Sequence, residues 1–474
     1  MIGRHYCTWL LGGLALSCAS PATRVPPAPS SRSVAPAAST SPVSAQPSTE
    51  KDAAAEATVA RALSFVAGLR ELEPLGPVKG RVISRDEMVS RVEHSLDTEI
   101  PPQVVSASGE ILFALGTVPA SFDYRRGLLQ VMRSELLGFY EPHDKTMFLG
   151  ADLHGQELDA TLWHELVHAL QDQHYGLEKL LEFSDDAGDW QAAVHALAEG
   201  DATSAMIDAM FADKHVLAPD VPESVMDLQN ALSASSVQGV PPIIKRSVVA
   251  PYLDGLAFVN ALRRRGGWSA VTAAWQRRPA STEQLLHLDK YDSREAPEAL
   301  PALESPPSGP SRVTYSDVYG EETLRVLFEE WMPAKVAREA AAGWAGDRIS
   351  SYGDAGLTSV AWRIRYDSDA AALNALHAFA RGALAPEDQP LDSRGRLSEF
   401  VSAVDAEQAT RAGQVCRERH SRGPFAVLRR GRELAVTLGP FRRNSDGALS
   451  EGQCKAALSW AAALITQPKA PRTK

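Results

Sequence analysis

Nowhere does this chain of 474 residues hold the roughly twenty consecutive apolar residues that a membrane-spanning helix needs. It also lacks a basic surplus: 48 Lys and Arg stand against 59 Asp and Glu, a net charge of −11. No basic stripe is left for a nucleic-acid backbone, and Arg263-Arg264-Arg265 is the kind of local cluster that solvates a helix end, so no nucleic-acid partner is expected. Internal repeats are absent, which argues against a solenoid. Cysteine is scarce, with four in all. What remains is ordinary globular material. Apolar residues make up 44% and charged residues 23%, enough to bury a core, and the length allows two or three domains.

The first eighteen residues, MIGRHYCTWLLGGLALSC, have the layout of a targeting segment. Arg4 supplies the positive charge, and Trp9 to Leu16 supply an apolar stretch too short to span a bilayer. The end, Ala15-Leu16-Ser17-Cys18, resembles a bacterial lipobox, although such boxes usually carry Leu, Val or Ile where Ala15 stands. The resemblance implies an exported protein of the cell envelope, anchored to the membrane by a lipid on Cys18. Ordinary signal cleavage near Ala19-Ser20 is the competing reading. Residues 19–56 are nearly all Ala, Pro, Ser, Thr and Val and read as a disordered leash. Cys7 would leave with the signal, so Cys416 and Cys454 are the only cysteines of the mature body. Export permits them to pair, which would restrict the unfolded chain by roughly 3–4 kcal/mol.

Hydrophobic periodicity predicts the rest. Residues 56–72 read as an amphipathic helix, and VKGRVISRDEMVSRVEHSL reads as a strand, then a helix capped by Ser84 or Asp86. Further helices are expected over 122–139, 157–174, 189–213 and 224–236, with a β-hairpin over 138–149. PYLDGLAFVNALRRRGGWSAVTAAW predicts two helices broken at Gly266-Gly267, and EETLRVLFEEWMPAKVAREAAAGW is again helical. Beyond about 345, VAWRIRY and FAVLRRGRELAVTLG alternate like strands around the helix DAAALNALHAFARGAL. The expected fold class is α+β: a mainly helical domain over 57–345 with a small hairpin sheet, then a small α+β module over 346–474. That module carries no chemical motif. Its Arg-rich hairpin, Leu428 to Leu434, suits a solvated strand face or, less directly, an acidic docking surface.

The chemistry concentrates in TLWHELVHALQDQHYG, residues 161–176. His164 and His168, four apart on a helix, lie one turn apart on one face and can reach one cation. Glu165 follows the first histidine, where its carboxylate emerges beside that cation and suits a general base. Three residues compete for the third ligand. His174 has the spacing of HExxHxxGxxH, but Gln171 stands where that pattern turns on a glycine, so an unbroken helix would carry His174 away. Glu199, in HALAEGDATSAM, lies on the next helix, and His195 lies one turn before it.

Glu199-Gly200-Asp201-Ala202 matches the EGxA string of the gluzincins, zinc metallopeptidases whose third ligand is a glutamate on a downstream helix. Together with the HExxH string, the chain resembles that class and uncharacterised bacterial HExxH lipoproteins of the same type. The likeness is scattered over roughly residues 60–370, including STEQLLHLDKY and GWAGDR. It implies a zincin-like catalytic domain holding Zn²⁺ on His164, His168 and Glu199, with Glu165 as base and a peptide or protein as substrate. It also implies a downstream oxyanion donor, for which Tyr252 and His287 are candidates, and a neighbouring helix brought close at Gly200. Asp201 and Asp172 are candidates to orient the ligands, and the hairpin is a candidate substrate rest. The reading from a different class is a non-catalytic envelope lipoprotein, binding or scaffolding, with a structural metal site. Oligomeric state is not legible.

Overall fold

The computed structural model describes residues 50–222, 239–386, 401–443 and 452–467. The signal, Cys18 and the helix expected over 224–236 lie outside them. The first described element, α1 (Glu50–Arg70), starts inside the segment read as leash, because Ala-rich sequence without proline begins there. β1 (Lys79–Ile83) and α2 (Arg85–Glu99) follow. Ser84, not Asp86, caps α2 by accepting from the Glu87 N–H, while Asp86 sits in the first turn, where the helix dipole favours an anion. α3 (Pro102–Leu115) and α4 (Tyr124–Glu135, capped by Asp123) lead to the hairpin β2 (Gly138–Glu141) and β3 (Thr146–Gly150). The three strands form a sheet in the order β1-β3-β2, with β3 parallel to β1 and antiparallel to β2.

Next come α5 (Gly155–Tyr175) and α6 (Gly188–Met210). α5 runs unbroken through Gln171 and ends at Gly176, whose φ of 66° closes the helix. α7 (Pro242–Gln276) breaks at Gly266-Gly267, where Gly267 has φ 61°, a left-handed conformation that favours glycine. α7 packs directly on α6 through two glycines. A Cβ on Gly200 would meet the Gly255 carbonyl group, and one on Gly255 would meet the Ala196 carbonyl oxygen. The close approach expected at Gly200 is therefore present, and its partner is the glycine of PYLDG.

The C-terminal part is a six-stranded sheet, order β4-β5-β6-β9-β8-β7, antiparallel throughout. Its elements are β4 (Arg312–Asp317), α8 (Gly320–Phe328), α9 (Ala334–Ala341), β5 (Trp344–Asp354), β6 (Leu357–Tyr366), α10 (Asp369–Leu384), β7 (Gln414–Arg417), β8 (Phe425–Arg430), β9 (Glu433–Phe441) and α11 (Cys454–Thr466). Both faces are buried, and the two-residue period sorts them. Val360, Trp362, Ile364, Leu434 and Val436 face the main core with Phe328 and Phe379, whereas Ala361 and Ala435 pack with Trp460 and Leu464 of α11. Cys416 and Cys454 form a disulfide that ties β7 to the start of α11. The sheet begins at Arg312, so a boundary at 345/346 would cut β5 and leave β4 on the wrong side.

GWAGDR has a structural explanation. Buried Asp347 accepts from the Tyr319 and Gly320 N–H groups at the start of α8 and from the indole N–H groups of Trp344 and Trp362. On β4, Asp317 accepts from the Gly188 N–H at the start of α6 (3.0 Å), so the sheet helps place the helix that carries Glu199. Among the described residues no helix is long and apolar enough to cross a membrane.

Candidate metal centre

α5 and α6 deliver three donor atoms to one point. His164 Nε2 lies 3.1 Å from Glu199 Oε2 and 3.1 Å from His168 Nε2, and His168 Nε2 lies 3.5 Å from Glu199 Oε2. Exposure is 1% for His164, 0% for His168 and 1% for Glu199, so the donors have left bulk water. A buried carboxylate packed this closely against two imidazoles is stabilised by positive charge beside it. The cluster could hold a metal ion.

The protonation pattern agrees. Burial pulls both imidazoles down. It prevails at His164, but at His168 the Glu199 and Glu165 carboxylates overcome it and hold the ring up at about 9. Burial would raise Glu199, yet His168, His164 and His195 hold it well below the usual carboxylate range. One positive charge on His168 and an ionised Glu199 is the arrangement these directions describe.

The competing third ligands are accounted for. His174 points away: its Nε2 lies 2.7 Å from the Glu73 carbonyl oxygen, on a half-buried side chain. His195 Nε2 sits 3.1 Å from Glu199 Oε1, the oxygen turned away from the two histidines, so it steadies the carboxylate from behind. Asp201 and Asp172 are engaged elsewhere. Asp201 pairs with buried Arg70 and accepts from Trp275 Nε1, and Asp172 accepts from the Tyr140 hydroxyl. The residue that sequence reasoning missed is Gln171, whose Oε1 lies 2.8 Å from His168 Nδ1. Its place, one turn after His168, was the available signal.

Glu165 is 1% exposed, and its two oxygens differ. Oε2 accepts from the Tyr140 backbone N–H (3.0 Å), whereas Oε1 has no hydrogen-bond partner. Burial pushes this carboxyl up to about 7, against the opposing pull of His168. The Tyr140 contact also bears on the hairpin. β2 is the edge strand of its sheet, all four of its residues are buried, and its Tyr140 N–H holds Glu165. Tyr252 reaches the centre from α7, its ring stacked on His164 at 5.9 Å between centroids. His287 is set differently, with Nε2 2.7 Å from Glu321 Oε1.

A second carboxylate group, Glu283, Glu295 and Asp367, already surrounds a cation. The Lys290 ammonium forms an ion pair with all three, at 2.8 Å from Glu283 and from Glu295.

Comparison with known proteins reaches only the C-terminal sheet. Residues 311–446 match a family described as a domain of unknown function (DUF8575), and the match spans β4 to β9. Neither a curated protein nor a solved structure matches the chain.

Proposed function

We propose that the chain is an exported zinc metallopeptidase of gluzincin type, anchored to the cell envelope by a lipid on Cys18 and hydrolysing peptide bonds. The observation that carries this reading is the convergence of His164, His168 and Glu199 with Glu165 beside them. Zinc suits the donor set. A tetrahedral zinc with ligands at about 2.0–2.1 Å has ligand–ligand edges of about 3.3–3.4 Å, and the three donor pairs here are separated by 3.1, 3.1 and 3.5 Å.

When bound, zinc supplies a Lewis acid that polarises a carbonyl and acidifies water. The chain's own residues do the rest. Glu165 keeps Oε2 on the Tyr140 N–H and offers unpartnered Oε1 to the proton of the attacking water. The same oxygen then returns the proton to the leaving amine. Tyr252, stacked on His164, offers its hydroxyl to the developing oxyanion. The rival reading, a non-catalytic envelope protein with a structural metal, draws on the burial of the ligands. Binding a metal does not require a glutamate beside it with one oxygen left open, and this favours catalysis.

The test is hydrolysis of an unstructured protein such as casein by the purified mature chain. The proposal expects cleavage that a chelator abolishes and stoichiometric zinc restores. A chelator that lowers the melting temperature of a protein showing no cleavage in any state would favour the structural-metal reading.

A further inference from the structure

We propose that Gln171 is the positioning residue that couples the two halves of the metal centre, an inference that rests on the metal-site reading above. Gln171 Nε2 donates to the Ala198 carbonyl oxygen at 3.0 Å, and Oε1 lies 2.8 Å from His168 Nδ1. A carbonyl oxygen only accepts, so the amide nitrogen must face Ala198 and the amide oxygen must face His168. Oε1 only accepts as well, so His168 Nδ1 carries hydrogen. With hydrogen fixed on Nδ1, Nε2 is the atom that would give up its proton to a metal, and its lone pair would then face His164 and Glu199. Ala198 directly precedes Glu199, so the same amide also fixes the backbone that presents the carboxylate. One fully buried side chain sets the tautomer of a ligand on α5 and the position of a ligand on α6. Water does not compete for either bond there. A carboxylate at 171 would still accept from His168 but could not donate to Ala198.

That difference supplies the test. Zinc affinity is measured by competition with a chromogenic chelator for the wild type, Gln171→Met and Gln171→Glu, and the melting temperature of each metal-free protein is recorded. Gln171→Met, which loses both bonds, is expected to bind zinc about 10–100-fold more weakly. Gln171→Glu, which keeps the acceptor for His168 but loses the donation to Ala198, is expected to fall between the two, binding zinc about 3–10-fold more weakly than wild type. A merely structural role would lower melting temperature in both variants without this split in affinity. Zinc binding by Gln171→Met within about twofold of wild type would overturn the assignment. Should Gln171→Met fail to fold, Gln171→Glu decides alone, and zinc binding within about twofold of wild type would overturn the coupling. A wild-type protein that binds no zinc would overturn the metal-site reading and this assignment with it.

Discussion

Glu165→Gln is expected to lower hydrolysis by about 10²–10⁴-fold, the usual worth of a general base, while zinc content stays at the wild-type level. The amide keeps an oxygen for the Tyr140 N–H, so the side chain retains its anchor and the buried shape is unchanged. What it loses is an oxygen able to take a proton. Glu165 contributes no donor atom to the His164, His168 and Glu199 cluster, so the metal has no reason to leave. Activity against casein and metal content on the same preparation separate the two effects. Activity retained within a few-fold would remove Glu165 from the chemistry, and loss of metal along with activity would make it a ligand or a structural support.

Gly255→Ala is expected to be strongly damaging for a single added methyl group. The added Cβ would overlap the Ala196 carbonyl oxygen, which belongs to a helix backbone and cannot swing aside. α6 and α7 must then separate, at a cost near the upper end of the ~1–3 kcal/mol typical of overpacking. The two helices carry Glu199 and Tyr252, so zinc affinity should fall with stability. Gly68→Ala is the control. It is also a helix glycine, but nothing lies within 4 Å of its would-be Cβ, and alanine there should stabilise by about 0.5–1 kcal/mol. Thermal unfolding of both variants, with and without zinc, checks the contrast. Equal melting temperatures would mean that the glycine crossing is not what sets the α6–α7 distance.

Where local chemistry dictates structure, the sequence was readable. The break at Gly266-Gly267, the cap at Ser84, the hairpin turn before Lys145 and the close helix approach at Gly200 each follow from what one or two residues permit. The His164–His168 pair follows from helix periodicity, and Glu199 was reached through its resemblance rather than its spacing. What was not legible depends on contacts distant in sequence. β4 follows a Pro- and Ser-rich loop, and its pairing with β5 is invisible in its own six residues, so the sheet was started too late. Asp201 and Asp172 looked available to orient ligands because their partners, Arg70 and Tyr140, come from elements 131 and 32 residues away. From sequence, Gln171 shows only that a residue other than glycine stands where the chain would bend, and its role depends on a carbonyl of the next helix.

The central claim is a metal held by His164, His168 and Glu199. Metal content by mass spectrometry of the purified mature protein, beside Glu199→Ala and His174→Ala, tests it most directly. About one zinc per chain is expected, lost in Glu199→Ala and kept in His174→Ala. Loss in His174→Ala with retention in Glu199→Ala, or no stoichiometric metal in any form after reconstitution, would contradict it.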